Sequence, residues 1–299
     1  MSDTVIPTVN DPSVRHEFVL LFDVKEGNPN GDPDAGNAPR SDAQTGHGIV
    51  TDVALKRKIR DFLGTTQGTD IFIQSQEALN KRKSDSAAKL PALTKEEREG
   101  KRVIPALQAQ MATDYYDIRM FGAVLATGDK ADRLNAGQVR GPVQITFARS
   151  IDPIRVQSAT ITRQARTTEE RMLTGTTEIG RKAYIHYGLY RAHGFFNPYL
   201  AVNDRINVTS DDLGLLWLAL QNMFTFDRSA SRGEMAVRGL YVFSHSSKLG
   251  NAPAHKLFKL IDLPAIDGAP RSFDEYTVTA PPDGPLEAFS GVTLTRLEG

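Results

Sequence analysis

The run HEFVLLFDVK at residues 16–25 constrains the fold most. Phe18, Leu20, Phe22 and Val24 recur at every second position, and Val19 and Leu21 between them are apolar too. Alternate side chains of an extended chain leave on opposite faces, so both faces of this segment need cover. A central strand with a layer on each side satisfies that. Behind it, residues 27–60 read GNPNGDPDAGNAPRSDAQTGHGIVTDVALKRKIR. The first part is loop chemistry, crowded with Gly, Asn, Asp and Pro. The second predicts a helix: Thr51 at the N-cap, Asp52 in the first turn, Leu55, Ile59, Phe62 and Leu63 as one apolar stripe, and Gly64 as its end.

Residues 64–105 lack a clean period and carry the charged run NKRKSDSAAKLPALTKEEREGKR, which predicts an inserted, partly helical lobe. Pro105 opens a helix expected to reach about Arg119. In residues 139–150, Val143, Ile145 and Phe147 alternate with Gln144, Thr146 and Ala148, the pattern of a half-exposed strand. Residues 158–182 are polar, rich in Thr and Arg, and have little to bury, so a projecting hairpin is expected there. A strand over 183–190 follows, and 194–202 continues as a strand past Pro198. Ser210 caps a second helix, whose LGLLWLALQNMF body is apolar nearly all round and therefore buried. Strands are expected over 239–245 and near 275–279. Without the insertions the order is strand, helix, strand, strand, helix, strand. That α+β order is the ferredoxin-like split βαβ unit, also the core of the RNA-recognition module.

Among 299 residues there is no cysteine, so disulfides and thiolate metal sites are excluded. Hydrophobic content of 40% and aromatic content of 8% fit a globular protein. No apolar run approaches the ~20 residues of a bilayer span. The opening MSDTVIPTVNDPSVRHE lacks the charged and apolar regions of a signal peptide. A cytoplasmic protein without membrane partners is expected. Thirty-six basic residues balance thirty-six acidic ones, so only the distribution of charge is informative. Residues 81–102 hold eight Lys/Arg against four Asp/Glu, and residues 155–191 seven against three. Residues 1–50 hold three against eight. Local basic segments on a neutral chain fit a directed binding surface or ordinary solvated faces.

Asp32 and Asp34 do not make a calcium loop: Gly36 and Asn37 stand in reversed order, and the twelfth position holds Ala43 rather than Glu. They read as turn-makers, with paired carboxylates of a metal-dependent nuclease as the other possibility. His47 is a candidate acid/base partner or a structural histidine. TGHG at 45–48 lacks the GK[ST] ending of a nucleotide loop. Lys56, Arg57, Lys58 and Arg60 follow the loop on the helix, either as phosphate contacts or as an exposed basic face. The arm carries Arg163, Arg166, Arg171, Arg181 and Lys182 among Thr hydroxyls, with Met172 and Leu173 as an apolar pair able to wedge between bases. A dimerising hairpin is the other reading of that arm. The aromatic signature of an RNA-recognition sheet is absent, and Phe195, Phe196 and Tyr199 read as core. No hydrolase, metalloprotease or Cys-centred motif is present, so no catalytic residue, metal or cofactor is assigned.

Longer motifs carry a resemblance. FDVKEGNPNGDPDAGNAPR with TGHGIVTDVALKRKIRDF, GRKAYIHYGLYRAHGFFNPYLA, FDRSASRGEM and GLYVFSHSSKLGNAPAHKLF resemble the backbone subunit of type I-C CRISPR Cascade complexes, over roughly residues 16 to 265. The resemblance implies a RAMP-superfamily protein shaped as a hand: one palm domain over residues 1–299, a finger inserted at 64–136 and a thumb hairpin at 155–182. It implies that copies polymerise along the CRISPR RNA, with large, small and cap subunits as further partners and target DNA met through the guide. On the matching positions, Asn28, Asn30, Gly31, Asn37 and Arg40 would meet the guide, together with the helix cations. Met172 and Leu173 would form the thumb wedge. Type III relatives cut target RNA with an acidic palm-loop residue, so an endoribonuclease using Asp32 or Asp34 is the alternative reading.

Overall fold

The computed structural model describes residues 8–75, 77–91, 94–98, 104–125, 134–163, 178–203 and 205–297. Strand β1, His16–Gly27, runs through the middle of a nine-stranded sheet. The other strands are β2 (His47–Val50), β3 (Val143–Ile145), β4 (Ala148–Pro153), β5 (Val156–Arg163), β6 (Glu178–Phe196), β7 (Glu234–His245), β8 (Gly284–Pro285) and β9 (Val292–Leu297). Their order is β8-β9-β7-β1-β6-β4-β2, with β3 and β5 also paired to β6, and every pairing is antiparallel. Helices of six residues or more are α1 (Asp52–Thr66), α2 (Leu79–Ala88), α3 (Pro105–Asp114), α4 (Tyr116–Phe121) and α5 (Ser210–Phe226).

The doubly apolar β1 is covered on both faces, as its pattern demands. Phe18, Leu20, Phe22 and Val24 pack with Leu55, Ile59 and Leu63 of α1 and with Leu213, Leu216 and Leu220 of α5. Val19 and Leu21 pack on the other side with Leu257, Phe258 and Ile261 from the segment after β7. Gly194 lies opposite Phe18 in β6, where a Cβ would stand 1.9 Å from the Phe18 ring. Glycine there makes room for the aromatic.

Several boundaries differ from the sequence expectation. α1 continues through Gly64, because Gln67 N–H still donates to the Leu63 carbonyl. α5 is capped by Thr209 rather than Ser210: Thr209 Oγ1 accepts from Asp212 N–H, and the Asp212 carboxylate accepts from Thr209 N–H. The helix expected to reach Arg119 breaks at Tyr115, which is extended, since Tyr116 N–H donates to the Asp70 carbonyl instead. The strand expected over 139–150 divides: Gln138–Arg140 pairs with Gly122–Val124 in a separate ribbon, and β3 and β4 join the main sheet. β6 ends at Phe196, and Pro198 opens the short helix Pro198–Ala201, capped by the Asn197 side chain. No strand covers 275–279, where the turn Phe273–Glu275 and a bridge from Thr279 to Asp262 stand.

Candidate nucleic-acid interface

At the end of β1 two loops close on each other. A Cβ on Gly27 would lie 1.8 Å from the Arg232 carbonyl oxygen, and Asn28 N–H donates to the Ser231 carbonyl at 2.8 Å. The loop after β1 and the loop between α5 and β7 are therefore side by side, though 200 residues separate them in sequence as a rough count. Inside the first loop, Asn28 is buried and its Nδ2 donates to the Asn37 carbonyl at 2.7 Å. Asn30 Oδ1 accepts from Thr51 N–H and from Thr51 Oγ1, both at 3.0 Å, which ties the loop to the start of α1. Gly31 faces Asn37 so closely that a Cβ would stand 1.9 Å from Asn37 Oδ1. Asn37 itself holds a left-handed φ of 61°. These four residues build the loop.

Asp32 caps the turn Pro33–Ala35, accepting from Asp34 N–H at 3.2 Å, and its other oxygen lies 3.3 Å from Arg40. It is a turn-maker with a cationic neighbour. Asp34 is exposed on that turn. His47 donates from Nδ1 to the Ser150 carbonyl at 2.8 Å and so ties β2 to β4. Among the described residues, no three His, Asp or Glu side chains are grouped to hold a metal ion.

The four cations of α1 do not share one exposed face, which corrects the sequence reading. Arg57 is the outward one, its side chain 70% exposed and 3.5 Å from Asp61. Lys56 lies 2.9 Å from Asp52 along the helix. Lys58 is buried in an ion pair with Asp227, and burial lowers its amine pKa against the pull of that carboxylate. Arg60 is buried with Nε 2.8 Å from Asp117. The cause is packing on both flanks of α1, by the end of α5 on one side and by the insertion on the other.

Between the two loops and α1 lies a cleft of about 480 Å³. Asn30, Arg40, Val53, Arg57, Phe147 and Arg232 are on its walls. Arg232 Nε is 2.7 Å from Asp227, the carboxylate that also takes Lys58. One anion thus serves two cations, and with Asp52 and Asp61 also on its walls the cleft is lined by the four cations Arg40, Arg57, Lys58 and Arg232 against three carboxylates. Arg40 Nε has no hydrogen-bond partner among the described residues. Phe147 is 52% exposed and faces outward, not inward with Val143 and Ile145. The sequence reading missed Phe147, Asp227 and Arg232. The only signal for Arg232 and Asp227 was the Arg- and Gly-bearing FDRSASRGEM, which has no periodicity.

The arm is a paired ribbon from Val156↔Ile185 to Arg163↔Glu178, which gives β5 and the first half of β6. Arg181 is exposed opposite Thr160. Lys182 donates to the Ala230 carbonyl, docking the base of the arm on the Arg232 loop. Arg166, Arg171, Met172 and Leu173 lie outside the described residues. Phe196 is core, and Phe195 packs edge-on to Phe258 with ring centres 5.6 Å apart. Tyr199 is not core: it is 54% exposed, with the Lys248 ammonium 4.8 Å from its ring centre.

The sequence profile of the family described as CRISPR-associated protein Cas7 matches residues 14–281. The chain belongs to that family. A relative described as CRISPR-associated protein Cas7 from Haloferax volcanii is 46% identical over 63 residues, which is 21% of this chain and 18% of the relative. Among solved structures, the chain aligns with a chain of a "CRISPR RNA-guided surveillance complex, pre-nicking", 13% identical with a TM-score of 0.48 over 77% of this chain and 78% of that one. A chain of a "CRISPR RNA-guided surveillance complex" is 14% identical, with a TM-score of 0.44 over 77% of this chain and 68% of the other.

Proposed function

We propose that the chain is a CRISPR RNA-binding backbone subunit of a type I-C Cascade complex, a structural protein whose copies polymerise along the guide in the cytoplasm. The cleft carries this reading. It is open, it gathers Arg40, Arg57 and Arg232 from three separate segments, and its loop offers short amides and backbone groups. Such a surface grips a phosphodiester chain without reading its bases.

The rest of the hand fits around it. The order β7-β1-β6-β4, with α1 and α5 on one face, supports an RNA-recognition-type palm. Residues 64–136 are the finger and residues 155–182 the thumb. Target DNA is met through pairing with the guide, and large, small and cap subunits complete the assembly. The test is the double substitution Lys56→Ala with Arg57→Ala. It is expected to weaken CRISPR RNA retention uniformly across spacer sequences and to lower the salt dependence of binding. Unchanged retention together with an unchanged salt slope overturns the assignment.

A further inference from the structure

We propose that Phe147 is a stacking platform for one base of the RNA strand in the cleft, so that the site holds a nucleotide by its π-face as well as its phosphate. This rests on the reading of the cleft as an RNA site. Three observations converge on it.

The first is a break in the sheet. Simple alternation from Val143 and Ile145 would turn Phe147 inward, yet the strand is interrupted between Ile145 and Ala148. Ala148 takes the buried position, opposite Val50, and Phe147 is turned out. Burying a phenylalanine ring is favourable, so the interruption forgoes a gain that regular pairing offered. A single exposed apolar side chain is ordinary on a protein surface. One displaced from the core side into a cleft lined by arginines and carboxylates is a different case.

The second observation is what faces the ring. Arg57, Arg40 and Arg232 line the same cleft, and Val53 beside them is 67% exposed, giving a second apolar surface. Single-stranded nucleic acid is held by this combination, with cations tracking the backbone and an aromatic carrying a base. The third is size. About 480 Å³ is in the range of small-ligand sites and gives room for one nucleotide.

Stacking on an aromatic is tolerant of sequence because every base has a π-face, and it disappears when the base is removed. The experiment measures binding of the full-length protein to two fluorescent probes of about ten nucleotides: an oligoadenylate, and an abasic ribose-phosphate strand of equal length. Phe147→Ala is expected to cost roughly 5- to 150-fold on oligoadenylate and nothing on the abasic strand. Phe147→Trp should retain the oligoadenylate affinity. The ring is exposed, so these variants are expected to fold. An equal loss on both probes, or no loss on oligoadenylate, overturns the stacking role while leaving the RNA site standing. If the unmodified protein binds neither probe, the RNA site itself fails and the platform with it.

Discussion

Arg60 Nε and Asp117 Oδ2 lie 2.8 Å apart with both side chains buried. The same carboxylate accepts the backbone N–H groups of Phe72 and Ile73 at 2.7 and 3.0 Å. One aspartate at the far end of the inserted segment therefore fixes the beginning of that segment and fastens it to α1. A cation that looks, in sequence, like part of an RNA-binding face is an internal bolt.

Arg60→Ala is accordingly expected to lower stability by about 3–5 kcal/mol, because the Asp117 charge is left buried without its cation. The double variant Arg60→Met with Asp117→Asn, which removes both charges and keeps an acceptor for the backbone N–H groups of Phe72 and Ile73, should recover part of that loss. Urea unfolding midpoints decide it, and a change in Arg60→Ala within ~0.5 kcal/mol would contradict the role.

Arg57 and Lys58 are neighbours in sequence with opposite fates. Arg57→Ala should leave thermal stability unchanged and reduce the salt slope of RNA binding by about one phosphate contact. Lys58→Ala should lower the melting temperature by leaving Asp227 shared by one cation instead of two. Melting curves and a salt titration on the same pair of variants separate the two effects.

The pH response follows from His16. It is fully buried, accepts from Ser244 Oγ at Nδ1 and donates from Nε2 to the Asp11 carbonyl, and burial lowers its pKa from 6.5 to about 4. The unfolded chain binds the proton first, so the contribution is intact above about pH 6.5 and is lost as pH falls toward 4. At about 1.4 kcal/mol per pH unit this amounts to roughly 3 kcal/mol. His193, stacked on Phe258 and likewise lowered to about 4 by burial and by Arg191, acts in the same direction. Unfolding at stepped pH should show the decline, and His16→Gln should flatten it. A slope identical in that variant would remove His16 from the account.

Gly27→Ala tests how tightly the two loops are joined. Its Cβ would meet the Arg232 carbonyl at 1.8 Å, so one loop must move. A loss of about 1–3 kcal/mol is expected, together with faster proteolysis within 228–233 and weaker RNA binding. Resistance to protease equal to that of the unmodified protein would argue against a shared wall.

What sequence reasoning reached is what local pattern determines. HEFVLLFDVK announced a two-sided core because both parities are apolar, and Thr51 announced the start of α1 because a cap acts on residues three positions away. The site was less legible. Lys58 and Arg60 read as solvent-facing because the residues that bury them, Asp227 and Asp117, are distant in the chain. Phe147 read as inward because one interruption in a strand reverses every later side chain, and nothing in VQITFA marks the interruption. Arg232 was overlooked since its position at the cleft depends on the contact between its loop and Gly27.

β6 belongs at once to the arm and to the sheet, pairing β5 along its first half and β1 from Ile185 to Phe196. A pull on the arm directed along that strand would load the ladder between β6 and β1 in shear, every rung sharing the tension. Rungs loaded in parallel fail together, whereas rungs peeled from an edge fail one after another. The paired ribbon of β5 and β6 is thus rooted in the sheet along the direction in which the ladder resists load best.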